Sequence, residues 1–261
     1  MTAPVVRLEK VARHFGGVRA VDGVDLEVRE GDLYGLIGPN GAGKTTLIDI
    51  ISGFQSVTAG KVDIGGVDAS RWPAHRVAAA GVARTFQTVR LFRSMTALEN
   101  VLVGMHPRRA NDMLGQVLLL PALRRDQGGR VAEGRELLER VGLASQADRL
   151  AGELAYADQR RLEIARALAL RPRILLLDEP AAGTNPTEGA QLQELLVDLN
   201  RGGLTMMLVE HHLRLVMSVC NRVAVVDFGR KIADGPPAEV IRQHEVVEAY
   251  LGREAAEEVG G

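Results

Sequence analysis

Apolar and polar residues alternate through residues 1–30, in VVRLEKVARHF and AVDGVDLEVRE, with the two-residue period of strands that keep one face in water. LYGLI at 33–37 breaks that rhythm. A continuous apolar run of this length predicts a strand covered on both faces. A Gly-rich loop follows, and then TTLIDIIS, which reads as helix. Two more buried strands are predicted in RILLLDE at 173–179 and TMMLVE at 205–210, and EGAQLQELLVDLN at 188–200 reads as a helix between them. Buried strands interleaved with helices predict a parallel sheet with both faces covered.

From about residue 89 to about 170 the period lengthens. EGRELLERVGL and DQRRLEIARALAL carry apolar residues three and four apart, so this stretch is predicted to be a helical insertion in the α/β core. HPRRANDMLGQV, rich in charge and turn formers, reads as a surface loop, and the terminal REAAEEVGG as a frayed tail. The expected organisation is one domain over 1–261. Its α/β core takes about 1–88 and 171–240, the helical subdomain about 89–170, and a C-terminal helix and tail 241–261.

Composition narrows the classes. Hydrophobic residues make up 46% and charged residues 25% of 261, ordinary for a globular chain, and the net charge of −1 lacks the basic excess of a nucleic-acid binder. The single cysteine, Cys220, has no internal disulfide partner and reads as a small buried hydrophobe in a reducing compartment. No run of 18 apolar residues occurs, so a membrane role is expected to be peripheral.

The chemistry is concentrated in two places. Gly38-Pro39-Asn40-Gly41-Ala42-Gly43-Lys44-Thr45, followed by Thr46, fits the phosphate-binding spacing G-x-x-x-x-G-K-[ST] between a predicted strand and a predicted helix. Its glycines let backbone N–H groups converge on a polyanion, which the positive end of the helix dipole favours. Lys44 is placed to reach the β- and γ-phosphates, and Thr45 to ligate Mg²⁺. The apolar run Ile174–Leu177 ends in Asp178 and Glu179, which brings carboxylates to the C-terminal edge of the sheet. Asp178 is the expected metal-side acid, and Glu179 the expected general base for the attacking water. These motifs specify a P-loop NTPase, and no guanine-reading NKxD stretch follows.

Seven elements in order across nearly the whole chain resemble the ATP-binding subunits of ABC transporters. Besides the two phosphate motifs, they are Phe15 in RHFGGVRAV, Gln87 in VARTFQT, ELAYADQRRLEIARAL at 153–168, AAGTNP at 181–186 and His211 in VEH. The resemblance implies a RecA-like parallel-sheet core with an N-terminal antiparallel β subdomain and an inserted α-helical subdomain. It also implies ATP and Mg²⁺ as ligands, with Thr45, Asp178 and Gln87 on the metal. Phe15 would stack on adenine, its alternative being a core residue, and His211 would hold the γ-phosphate in line. A metal site at His211 and His212 is disfavoured because adjacent residues on a strand face opposite ways. His14, His75, His106 and His244 read as ordinary surface or core histidines.

Within that family TFQTVRLFRSMTALENVLVG, DEPAAGTNP, LVEHHLRLVM and AYLG look like the ATPases of branched-chain amino acid importers. This implies a subunit on the cytoplasmic face of the membrane. Its partners would be a related second ATPase (a homodimer being the alternative), two permeases and, indirectly, a solute-binding protein. A lipopolysaccharide-export ATPase and a non-transport ABC protein are the rival readings, and urea or amides the rival solutes. The signature that closes on a partner's ATP, LSGGQ in the family at large, reads Leu154-Ala155-Tyr156-Ala157-Asp158 here. Ala155 lacks a hydroxyl for the phosphate and Ala157 adds a Cβ, so the site that uses this signature is expected to be the weaker of two. Thr184 stands where leucine is usual in the branch.

Overall fold

The alternation at the start of the chain becomes two long antiparallel strands, β1 (Pro4–Phe15) and β2 (Val18–Arg29), paired from Pro4 opposite Arg29 to Phe15 opposite Val18. The computed structural model describes residues 4–105, 120–210 and 213–250. The expected loop at HPRRANDMLGQV, the terminal tail, and His106, His211 and His212 lie outside them. The period of β1 is not clean. Its register skips between Leu8 and Val11, Lys10 takes φ 46°, and Val11 and Ala12 are both buried. A bulge of this kind turns consecutive residues toward one face.

The chain divides into two units, one built from Met1–Val82, Arg173–Glu179 and Leu196–Gly261, the other from Ala83–Pro172 and Pro180–Leu195. The first unit contains an antiparallel sheet in the order β2-β1-β4-β5, completed by β4 (Ala59–Ile64) and β5 (Val67–Asp68). Those two strands come after the Gly-rich loop, and the sequence pattern had not marked them.

A second sheet runs β10-β9-β3-β8-β7-β6. Its centre is β3 (Leu33–Ile37), β8 (Thr205–Val209) and β7 (Ile174–Asp178), mutually parallel and buried at every position. Burial on both faces is what three unbroken apolar runs require. One edge is an antiparallel hairpin, β9 (Arg222–Asp227) and β10 (Arg230–Gly235), with β9 parallel to β3. The other edge strand, β6 (Val82–Arg84), is where the chain leaves the first unit. Leu8, Leu26 and Val28 of the antiparallel sheet share one core with Leu36, Leu176 and Met207 of the parallel sheet. Ile48 and Ile51 of helix α1 (Lys44–Ile51) lie in the same core. Helix α2 (Ala74–Ala79) adds Val77.

The second unit is helical apart from its links. Helix α3 (Ala97–Gly104) starts with a reciprocal cap. The Thr96 hydroxyl accepts from Glu99 N–H while the Glu99 carboxylate accepts from Thr96 N–H. It packs on α4 (Leu120–Arg140) and α5 (Tyr156–Leu168). Gly104 permits the crossing with α5, since a Cβ there would lie 2.3 Å from the Arg166 carbonyl oxygen. Helix α6 (Pro186–Arg201) begins in this unit and ends in the first, where α7 (Leu213–Val219), α8 (Pro237–Val240) and α9 (244–250) follow.

The edge hairpin is tied by Asp234, whose carboxylate accepts from Arg222 Nε at 2.7 Å and Lys231 Nζ at 2.9 Å. Burial works to raise this carboxyl's pKa, but the two cationic donors outweigh it and hold the group below its ordinary value. A depressed carboxyl stabilises the folded state above the unfolded pKa, and that contribution is lost as pH falls through the folded one. Asp234→Asn should therefore lower the unfolding free energy by about 1–2 kcal/mol at neutral pH, discounted for partly exposed partners. In urea titrations the gap to wild type should close below the ordinary carboxyl value of 3.8.

Candidate nucleotide-binding site

The fully buried strand β3 delivers the chain to Gly38 at the carboxyl edge of the parallel sheet, and α1 starts at Lys44. The loop between them has room only for backbone at two points. A Cβ on Gly38 (φ 151°) would lie 2.0 Å from the Val226 carbonyl oxygen. One on Gly43 (φ 105°) would lie 2.4 Å from the Ala20 carbonyl oxygen. The loop is also tied from outside. Gly229 N–H donates to the Ala42 carbonyl, and Asp22 N–H donates to the Gly229 carbonyl. Strand β2 and the β9–β10 turn thus hold one loop conformation. Asn40, Gly41 and Thr45 are exposed, and no acidic residue stands in the first turn of α1. The N-terminal end of this helix is left electropositive, as a polyanion site needs.

Lys44 lies across its own loop. It is buried, and its ammonium donates to the carbonyls of Gly38 at 2.6 Å and Pro39 at 2.9 Å. A buried ammonium held by the carbonyls of its own loop is a candidate for phosphate oxygens rather than a core residue.

The acids reach the same sheet edge through strand register. Asp178 pairs with Val209, and Val209 pairs with Leu36, so the ends of β7, β8 and β3 lie level. Asp178 is buried. Glu179, next along, takes φ 47°, a left-handed conformation that a non-glycine residue adopts under strain, and its N–H donates to the Val209 carbonyl. That bond is the last rung of the β7–β8 ladder, and the left-handed turn at Glu179 takes the chain out of the strand directly after Asp178. Glu210, which the sequence reading passed over, is fully buried at the end of β8, and its N–H donates to the Leu36 carbonyl. The signal that marked Asp178, an acid directly after an apolar strand, is present in TMMLVE too.

Phe15 is half exposed at the end of β1, and the Arg13 guanidinium lies 4.6 Å from its ring centroid. It is a surface platform and not a core residue. His14 stands 3.9 Å from Asp22, His75 and His244 are exposed, and Cys220 is buried, with burial pushing its thiol well above the ordinary range.

The remaining candidates belong to the second unit. Gln87 is exposed in the loop after β6. Ala155 is the exposed N-cap of α5 and makes no side-chain cap, Tyr156 is exposed, and Ala157 is buried. Asp158 accepts from Gln146 Nε2 at 2.8 Å and pairs with Arg161. A Cβ on Gly183 would lie 3.4 Å from the Tyr156 ring, so the AAGTNP loop abuts the signature. Thr184 has a local role there. Its hydroxyl donates to the Ala181 carbonyl at 2.8 Å, while Asn185 and Glu188 cap α6 reciprocally.

Comparison with known proteins agrees with this geometry. The family model for the ABC transporter matches residues 21–182. The chain belongs to the ABC transporter family. The cassette is 44% identical to the high-affinity branched-chain amino acid transport ATP-binding protein LivG of Salmonella typhimurium, over 97% of this chain and 99% of that protein. It is 43% identical, over the same shares, to the corresponding protein BraF of Pseudomonas aeruginosa. Identity to the lipopolysaccharide export system ATP-binding protein LptB of Haemophilus influenzae is 33%, over 96% and 98%. The solved ADP conformation of the ATP-binding cassette MJ1267 superposes with a TM-score of 0.82 at 32% identity, over 96% of this chain and 100% of that one. A second model, described as the branched-chain amino acid ATP-binding cassette transporter, matches residues 230–256. Within that segment Tyr250 lines an apolar cavity with Ile37, the residue before Gly38. The cassette is an ATPase of the α/β architecture expected from its sequence.

Gly43→Ala should leave the far-ultraviolet dichroism unchanged but weaken ADP and ATP binding at least about a hundredfold. The added methyl meets a backbone oxygen, and alanine resists the required φ. Equilibrium dialysis checks this, and wild-type affinity would show that the loop tolerates a different path.

Proposed function

We propose that the cassette is the ATP-hydrolysing subunit of an importer for branched-chain amino acids, working at the cytoplasmic face of a membrane. The observation that carries the solute class is the match over 230–256, together with near-complete coverage of relatives named for that transport. The lipopolysaccharide-export relative covers as much of the chain at lower identity. Among the described residues no helix is long and apolar enough to cross a membrane. A related second ATPase and two permeases, fed by a solute-binding protein, are the expected partners, and a homodimer is the alternative.

The chain's own residues divide the chemistry. The loop Gly38–Gly43 and the start of α1 bind the triphosphate through backbone N–H groups. Lys44 supplies charge to the β- and γ-phosphates, and Phe15 offers its ring to adenine. Stacking of that kind is worth about 1–3 kcal/mol by analogy with other base–aromatic pairs. Thr45, exposed at the helix start, and Asp178, level with the loop's strand, are a hydroxyl and a carboxylate suited to Mg²⁺. Bound with the nucleotide, Mg²⁺ neutralises phosphate charge. For Gln87 as a further metal ligand and His211 as the γ-phosphate contact, the support is the family resemblance. Glu179, bent out of β7 by its left-handed backbone, takes the proton from the attacking water. The signature of each ATPase, here Ala155, Tyr156, Ala157 and Asp158, closes on the nucleotide of the other.

Proteoliposomes holding the assembled transporter should take up leucine when MgATP is enclosed with the cassette, and urea or amides should not compete. Glu179→Gln should bind MgATP with unchanged affinity while losing about 10²–10⁴ in turnover. Wild-type turnover would remove Glu179 from the chemistry, and urea uptake would replace the solute class.

The composite site that uses this chain's signature is the weaker of the pair. Ala155 is the exposed position and lacks both the hydroxyl for a phosphate and the helix cap. Ala157 turns its methyl inward, so Ala155 carries most of the difference. Ala155→Ser, alone or with Ala157→Gly, should raise the ATPase rate of the assembled transporter by up to about tenfold. It should also stabilise the isolated chain by about 1 kcal/mol through capping. A gain in stability with no gain in rate would refute the asymmetry.

A further inference from the structure

The segment that carries Gln87 has left strand β6 and has not entered a helix, so its peptide groups need partners from elsewhere. Helix α5 provides them with two buried ions. Arg160, 4% exposed, donates through Nη1 to the Phe86 carbonyl at 2.7 Å and through Nη2 to the Gln87 carbonyl. Glu163, 1% exposed, accepts through Oε1 from Phe86 N–H at 3.4 Å and from Arg90 N–H at 3.3 Å. The two ions lie 3.6 Å apart, and Arg166 approaches Glu163 at 3.9 Å. Arg84 and Arg90 flank the Phe86 ring at 5.1 and 4.3 Å. At the other end of this arrangement, the Arg160 guanidinium sits 5.4 Å from the ring of Tyr156, in the signature.

We infer that Arg160 and Glu163 are positioning residues that fasten the Gln87 loop to the signature helix, so that the two elements move together. The inference rests on the proposed roles of Gln87 and of the signature in ATP hydrolysis. Arg160 gives both terminal nitrogens to the carbonyls of Phe86 and Gln87, and Glu163 gives one oxygen to the N–H groups of Phe86 and Arg90. The residue types match the task. A guanidinium fork reaches two successive carbonyls, and a carboxylate accepts two N–H groups, which lysine and glutamine do less well or not at all. The fastening is all-or-none, because sliding the loop would leave two desolvated ions and four peptide groups without partners. Burial raises the Glu163 carboxyl's pKa and lowers that of Arg166, the mark of charges held away from water. A shift of the Gln87 loop would therefore carry the signature face with it within one subunit.

The test is a double-mutant cycle in the assembled transporter in proteoliposomes, comparing Gln87→Ala, Glu163→Gln, Arg160→Lys and each pairing with Gln87→Ala. MgATP affinity should stay within about twofold of wild type in Glu163→Gln and Arg160→Lys, while kcat falls about ten- to a hundredfold, the scale of a misplaced catalytic group. In the Gln87→Ala background neither change should lower kcat further, because all act through one group. Losses that multiply with Gln87→Ala, a fall in affinity that parallels kcat, or a wild-type kcat would each overturn the assignment. Where thermal melting shows that Glu163→Gln does not fold, Arg160→Lys carries the cycle, since it retains the buried positive charge. If the wild-type assembly binds and hydrolyses no ATP, the proposed function fails and not this linkage.

Discussion

The level ends of three buried parallel strands are the constraint on which the first unit depends. β7, β8 and β3 are buried at every position, covered on both faces, and held in a register that sets Asp178, Val209 and Leu36 in one row. A slip of one residue in any of them would turn its side chains to the opposite face and separate the acids from the phosphate loop. The loop then follows Leu36 by two residues, and the acids leave β7 and β8 at the same level. Between Thr205 at the start of β8 and Asp178 at the end of β7, the strands align through apolar side chains. The alignment comes from packing the apolar faces of the parallel sheet against α1 on one side and sharing a core with the antiparallel sheet.

Two loops of the candidate site are fixed by opposite means. The phosphate loop is held by the absence of side chains. Gly38 and Gly43 let the backbone press against the carbonyls of Val226 and Ala20, where a Cβ would not fit. The Gln87 loop is held by side chains, two buried ions that answer its peptide groups. The difference suits their tasks. A phosphate cradle must present bare backbone to an anion, and side chains would fill it. A loop proposed to move with the signature helix needs a discrete attachment, and a desolvated pair of ions keeps one geometry until all its partners are exchanged together.

Much of the site was legible along the chain because its chemistry depends on near neighbours. Gly38 to Thr45 is a local loop, and Asp178 and Glu179 are adjacent, so spacing reveals them. Strands β4 and β5 escaped notice because AGKVDIGGVD is short, rich in glycine, and gains its strand character from pairing with β1 some fifty residues earlier. The bulge at Lys10 was hidden for the same reason, since burying Val11 and Ala12 together breaks the alternation on which the reading relied. Glu210 and Glu163 are fully buried acids, and composition alone does not separate a buried acid from a solvated one.

By itself the sequence determined the alternating N-terminal strands, the three buried strands and the helices that separate them, where the phosphate loop and its acids stood, and which family's motifs they matched. Each of these follows from side-chain periodicity or from residues within a few positions of one another. The tertiary structure alone decided the strand register that levels the acids with the loop, the left-handed backbone at Glu179, and the carbonyls that make Gly38 and Gly43 obligatory. It also decided that Arg160 and Glu163 point inward at the Gln87 loop, and that Ala155 faces out while Ala157 faces in. All of these depend on atoms brought together from distant parts of the chain, and burial and hydrogen-bond satisfaction are settled only when those parts pack.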